Sequence, residues 1–80
     1  MSKTQKALAK MFREERYTLG YSLRDAERES GVDKAIISRG ERGLFKYKFE
    51  HAIALCEAYL LDVGSVAKHY AVRNNKGHVV

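Results

Sequence analysis

The segment from Ser22 to Gly43 constrains the fold more than any other part of the chain, because it holds start and stop signals for two short helices. Ser22 and Asp25 have the spacing of a capping box, in which each side chain accepts the backbone N–H of the other residue. Gly31 can adopt the left-handed conformation that ends the first helix, and Asp33 can cap the second. The sequence therefore predicts two helices joined by a tight turn, the helix-turn-helix arrangement over residues 22–43.

Apolar residues outside this segment recur at intervals of three and four, which predicts amphipathic helices on both sides of it. We expect five helices, at about residues 4–17, 23–30, 34–42, 47–60 and 63–70. The side chains expected to face the core are Leu8, Met11, Phe12 and Leu19 in the first helix, and Phe49, Ala52, Ile53, Cys56 and Leu60 in the fourth. The sequence thus predicts one all-α domain over residues 1–70. Residues 71–80 would form a short strand or hairpin, or a frayed tail.

Composition and charge favour a small domain with an anionic partner. The 80 residues suffice for one domain, and 45% hydrophobic with 31% charged residues is typical of a globular chain. Residues 1–48 carry twelve Lys and Arg against seven Asp and Glu, whereas residues 49–80 carry three of each. The whole excess of +5 therefore lies on the part that contains the two-helix segment. Phosphate groups attract such a surface without regard to base sequence.

Several other classes of protein and site are not expected from this sequence. No apolar run approaches the length of a membrane-spanning helix, and the N-terminal segment lacks the apolar core of a secretory signal. Cys56 is the single cysteine, so it cannot form an internal disulfide, which favours a reducing compartment such as the cytoplasm. His51, His69 and His78 lack a metal-ligand spacing with Cys56. We expect no metal, cofactor or small-molecule ligand, and no enzymatic activity.

The two-helix segment and its flanks resemble the Cro and phage-repressor class of helix-turn-helix proteins, also called the XRE-like family. The matching residues are Ser22-Leu23-Arg24-Asp25, Gly31-Val32, Ile37-Ser38-Arg39 and Glu41-Arg42-Gly43, with Phe12 to Arg16 before them and Phe49, Glu50, Ile53, Leu55, Ala58 and Leu61 after them. The resemblance covers roughly residues 6–67. It implies a lambda-repressor-like helix-turn-helix domain that binds double-stranded DNA sequence-specifically and regulates transcription, as a Cro-like or phage-type repressor does.

The chain departs from the family pattern at a few positions. Leu23 replaces a common Gln, Glu27 a small Ala, and Gly40 a large apolar residue, while residues 17–21 look about three residues longer than usual. Glycine inside a helix costs about 1 kcal/mol relative to alanine. We therefore expect the second motif helix to be short or loosely packed near Gly40.

The resemblance implies base contacts from Lys34, Ala35 and Arg39 on the second motif helix, the recognition helix. Arg39 is the strongest candidate, because a guanidinium can donate twice to guanine, and Ala35 suits a thymine methyl group. The alternative for Lys34 and Arg39 is phosphate or solvent contact. Phosphate contacts are expected from Ser22, Arg24, Ser38, Arg42, Lys46 and Lys48, and Lys3 and Lys6 could form an arm around the duplex.

The resemblance also implies a salt bridge between Arg13 and Glu41 that holds the recognition helix against the first helix. One domain reads only a few base pairs, so we expect a homodimer on a near-palindromic operator. The apolar residues expected to join the two copies are Val63, Val66, Tyr70, Val72, Val79 and Val80. Two alternatives remain: an antitoxin of a toxin–antitoxin pair, and a protein-interaction module that has lost DNA binding, which the departures at Leu23, Glu27 and Gly40 would favour.

Overall fold

Five helices are found in the part of the chain that the structure describes. The computed structural model describes residues 3–67 and residue 70, with side chains from residue 5 onward. Helix α1 spans Lys3–Leu19, α2 Leu23–Ser30, α3 Lys34–Glu41 and α4 Phe49–Ala58, and residues 63–67 form α5. The predicted all-α fold is confirmed, and no strand occurs within these described ranges. The predictions for the tail at 71–80 lie outside them.

The turn between α2 and α3 forms as the sequence predicts. Ser22 Oγ accepts the N–H of Asp25 and Asp25 Oδ2 accepts the N–H of Ser22, both at 3.0 Å, which completes the capping box. Gly31 is in the left-handed region with a φ of 80° and ends α2. Asp33 Oδ1 accepts the N–H of Ala35 at 2.7 Å and so caps α3. The end of α2 and the starts of α2 and α3 are therefore set by hydrogen bonds between residues close together in the chain.

The core lies between the helices, where α2 packs on α3 and α4, and α1 packs on α3. The ring of Phe12 makes edge contacts with Tyr47 and Tyr59, at centroid distances of 5.4 and 6.0 Å. The buried apolar residues of this cluster are Leu8, Phe12, Ala26, Val32, Ile37, Tyr47, Ala52, Leu55, Cys56, Tyr59 and Val66. Four predicted core residues are therefore confirmed as buried, namely Leu8, Phe12, Ala52 and Cys56. Met11 and Ile53 are partly buried against the cluster.

Leu60 does not face the core, because the backbone turns away there. It adopts a left-handed φ of 59°. Its N–H donates to the carbonyl of Glu57 at 3.2 Å, and the N–H of Leu61 donates to that of Cys56 at 2.9 Å. This is the Schellman pattern that ends a helix, so α4 ends earlier than predicted and the Leu60 side chain is 85% exposed.

Leu19 and Phe49 were also predicted as core residues, and both are exposed instead, at 36% and 50%. Leu19 is the last residue of α1 and Phe49 the first of α4, so each lies beyond the central cluster. Residues 17–19, which looked like part of an insertion, continue α1 by regular helix.

Candidate nucleic-acid interface

Helix α3 is buried on one side and open to solvent on the other. The residues that face the core are Ile37, Gly40 and Glu41. Lys34 and Arg39 are exposed, and Ala35 is half-exposed. Because residues four apart share a helix face, Ala35 and Arg39 form one strip of the open surface. All three predicted base-contact residues therefore lie on α3 with surface accessible from outside.

The buried side of α3 is attached to α1 by an ion pair between Arg16 and Glu41. Arg16 Nε and Nη2 donate to the two carboxylate oxygens of Glu41 at 2.7 and 2.8 Å, and both side chains are buried. Arg16 Nη1 also donates to the carbonyl of Tyr21 at 2.9 Å. The bonds to Glu41 raise the pKa of Arg16 above its ordinary value despite its burial.

The predicted salt bridge between Arg13 and Glu41 is therefore wrong in its arginine. Arg13 lies one turn earlier on the same side of α1, and its Nη1 donates to the backbone carbonyl of Glu41 at 3.3 Å. The carboxylate is already occupied by Arg16, which reaches it bidentately. Arg13 and Arg16 lie on the same side of α1, so the choice between them depends on where α3 crosses that helix.

Gly40 is tightly packed, which contradicts the expected loose end of α3. It is buried, and a Cβ added to it would overlap the ring of Tyr47. Two hydrogen bonds hold Tyr47 in place. Its hydroxyl donates to the carbonyl of Ile37 at 3.3 Å, and its carbonyl accepts a hydrogen bond from the hydroxyl of Tyr70 at 2.8 Å. The tyrosine thus fills the space that a larger residue at position 40 would take.

The two other departures from the family pattern also have structural roles. Glu27 Oε2 accepts the backbone N–H of Lys34 at 3.3 Å, so it satisfies a free donor at the start of α3. Leu23 is half-buried and packs against the core cluster. A carboxylate near the positive end of a helix is favourable. Glu27 therefore stabilises the turn, although it is not the small residue that the family pattern has there.

The cations on the open side of α3 are available to a ligand. Within the described residues, no ion pair involves Lys34, Arg39 or Arg42. Arg42 Nε donates to the carbonyl of Ser38 at 3.4 Å, which leaves its other guanidinium hydrogens free. The open side of α3 and its C-terminal cap therefore present three cations that form no ion pair within the described residues.

The predicted phosphate-contact residues lie on three neighbouring elements. They are Ser22 and Arg24 at the start of α2, Ser38 and Arg42 on or just after α3, and Lys46 and Lys48 in the segment before α4. Ser38 is half-exposed and the other five are exposed. Lys46 Nζ lies 5.5 Å from the centroid of the Tyr70 ring, which gives a favourable cation–π contact. Lys3 and Lys6, which were expected as a possible arm, both belong to α1, so this segment is helical from Lys3 onward.

Sequence reasoning missed a small cleft beside the recognition helix. It has a volume of about 240 Å³ and is lined by Ile36, Phe45, Lys46, Lys48 and His51. Ile36 belongs to α3, so this cleft brings the two predicted phosphate-contact lysines next to that helix. Phe45 also makes an edge contact with Tyr47 at 6.2 Å. The alternation of lysines with aromatic residues at 45–48 was the available signal for this surface.

Among the described residues, no group of three His, Cys, Asp or Glu side chains could hold a metal ion. In the same part of the chain, no helix combines the length and apolar character needed to cross a membrane. Comparisons of the chain with protein-family models, with curated proteins and with solved structures find no match.

Proposed function

We propose that this protein is a cytoplasmic, sequence-specific regulator of transcription that binds double-stranded DNA. We place it with the Cro and phage-repressor class of helix-turn-helix proteins. The single observation that carries the proposal is the two-sided environment of α3. Its inner side is held by the Arg16–Glu41 pair, and its outer side exposes Lys34 and Arg39. A positioned helix with such an outer face can enter the major groove without losing packing.

Each base-contact candidate has a distinct chemical role. Arg39 can donate to O6 and N7 of a guanine, Ala35 can contact a thymine methyl group, and Lys34 can donate to guanine or hold a phosphate. The carboxylate of Asp33 points back to the backbone N–H of Ala35. It therefore serves α3 as a cap, and its charge is partly offset by the positive helix end.

The three departures from the family pattern each have a structural role. Gly40 accommodates Tyr47, Glu27 accepts a backbone N–H of α3, and Leu23 packs on the core. Packing and capping therefore account for these three residues, which supports keeping DNA binding as the proposed function.

A homodimer on a two-fold symmetric operator is part of the proposal, since one such domain reads few base pairs. Of the residues expected at the dimer contact, Val66 is fully buried in the core and is not available to a partner. Val63 is exposed, and Tyr70 Oη is bonded to Tyr47. Val72, Val79 and Val80 lie outside the described residues.

The test is selection of bound duplexes from a random pool, followed by binding measurements with two variants. Arg39→Ala should lose about 1–3 kcal/mol on the selected duplex and relax the preference at one base position. Lys46→Ala should weaken binding equally on all duplexes, because a phosphate contact carries no sequence information. A two-fold symmetric selected motif would support the dimer.

The controls are the wild-type salt response and the position-specific effect of Arg39. An affinity for duplex DNA that does not fall with salt would contradict the proposal. If Arg39→Ala weakened every duplex to the same extent, Arg39 would be a phosphate contact and its assignment to a base would be wrong.

A further inference from the structure

A second basic surface lies between α1 and the C-terminal end of α3. It is a groove of about 360 Å³, and its charged lining residues are Lys6, Lys10, Arg13, Glu41 and Arg42. Lys6, Lys10 and Arg13 follow one another at helical intervals along one side of α1. Arg42 belongs to the groove and also borders the outer face of α3, so the groove continues the predicted DNA surface.

The groove carries positive charge that its own acidic residue does not cancel. Glu41 is buried, and its carboxylate accepts hydrogen bonds from Nε and Nη2 of Arg16, which does not line the groove. The part of Glu41 that bonds to a groove cation is its backbone carbonyl, which accepts from Arg13 at 3.3 Å. Four cations therefore line this groove, while its one carboxylate is paired with Arg16 on the side away from the groove.

Folding accounts for only two of these four cations. Arg13 and Arg42 donate to carbonyls of Glu41 and Ser38 in the last turn of α3, where cations are favourable. Lys6 and Lys10 lie four residues apart on α1, and like charges at that spacing destabilise a helix slightly.

The surroundings of the two lysines do not offset this cost. Lys6 lies in the first turns of α1, where the helix dipole disfavours a cation and the first turn holds no acidic residue. Lys10 has one weak contact, 3.9 Å to Glu14, and such exposed pairs contribute little. Neither lysine is therefore explained by stability.

We propose that this groove binds the phosphate backbone of the same duplex, so that α1 is part of the DNA interface through Lys6 and Lys10. The inference rests on the proposed function of α3. Arg42 follows the last residue of α3 and also lines this basic groove, so the groove begins where the proposed DNA-binding helix ends.

The test compares Lys10→Gln and Lys6→Gln with the matched control Arg28→Gln on a fixed mixed-sequence duplex. Lys10 and Arg28 have similar side-chain exposure, 65% and 64%, and each is paired with a carboxylate on its own helix. Each substitution removes one positive charge. Phosphate contacts contribute to binding of any sequence, so the operator need not be known.

The measured quantity is the slope of log affinity against log salt concentration. Each groove variant should reduce the slope by about 0.9, so that the wild type loses about 3.5-fold more affinity than the variant between roughly 50 and 200 mM salt. Arg28→Gln should keep the wild-type slope. Thermal unfolding of each variant checks that the fold is retained.

The outcomes separate this inference from the proposed function. If the wild type binds duplex with a steep salt response but all three variants share its slope, the groove does not contact phosphate and the inference is overturned. If the three variants lower the slope equally, the effect reflects net charge alone, and the inference is again overturned. If the wild type shows no salt-dependent binding, the proposed function itself fails.

Discussion

Replacing Gly40 by alanine should destabilise the protein, although helix propensity alone predicts the opposite. Alanine is favoured over glycine in a helix interior by about 1 kcal/mol. At position 40, however, the added Cβ would overlap the ring of Tyr47. That ring is held by its bond to the carbonyl of Ile37 and by edge contacts with Phe12 and Phe45, at 5.4 and 6.2 Å.

The magnitude follows from the two opposing effects. Overpacking of a buried site costs typically 1–3 kcal/mol, and it is larger where the neighbour cannot move. Because two ring carbons and the hydroxyl oxygen of Tyr47 would overlap the new Cβ, we place the packing cost at or above the upper end of that range. After the gain from propensity, Gly40→Ala should lower the free energy of unfolding by about 2 kcal/mol or more.

Urea unfolding followed by circular dichroism measures this change, with Gly64→Ala as the matched control. Gly64 lies in helix α5, where a new Cβ would meet only the end of the exposed Asp62 side chain. This control should be neutral or slightly stabilising. In a Tyr47→Leu background, the penalty of Gly40→Ala should shrink or change sign, because the ring is gone. A raised urea midpoint for Gly40→Ala in the wild-type background would refute the reasoning.

Three further predictions concern stability. Arg16→Met should lower the free energy of unfolding in urea by about 3–5 kcal/mol, because it leaves the carboxylate of Glu41 buried and unpaired. Arg13→Met should lower it by only about 1 kcal/mol, the contribution of one hydrogen bond. Equal losses for the two variants would contradict the assignment of the ion pair. Leu60→Gly should raise the free energy of unfolding by about 0.5–1 kcal/mol, since glycine relieves the left-handed strain at an exposed position, and a loss would show that the leucine side chain contributes in the folded state. The pKa of Asp25 lies below its ordinary value of 3.8, chiefly because its carboxylate accepts the backbone N–H of Ser22. The contribution of Asp25 to stability is therefore present above that pH and is lost as the pH falls through the lowered pKa. Thermal melts at a series of pH values should show a smaller loss of stability in acid for Asp25→Asn than for the wild type.

Interactions within a few residues were predictable from the sequence. The capping box at Ser22 and Asp25, the left-handed Gly31 and the cap at Asp33 are all found where the residue types and their spacing predicted them. Each of these features spans at most four residues, so the rest of the fold hardly affects it. The bounds of α2 were predicted without error for the same reason, since both of its ends carry such signals.

The errors at helix ends and on helix faces arise from interactions that a local pattern does not contain. Leu60 matched the apolar spacing of α4, but the backbone bonds at Leu61 end the helix first. Phe49 also matched the apolar spacing of α4, but it is the first residue of that helix and is 50% exposed. Periodicity predicts which residues share a face, and it does not predict how far along the helix the packed neighbours extend.

The sequence by itself determined the number and order of the helices and the turn that joins α2 to α3. Only the tertiary structure decided which arginine binds Glu41, since Arg13 and Arg16 lie on the same side of α1 and differ only in where α3 crosses it. The tertiary structure also decided that position 40 has no room for a side chain, because the ring of Tyr47, seven residues later in the chain, fills the neighbouring space. Both outcomes depend on distances between separate elements, and local residue preferences carry no information about those distances.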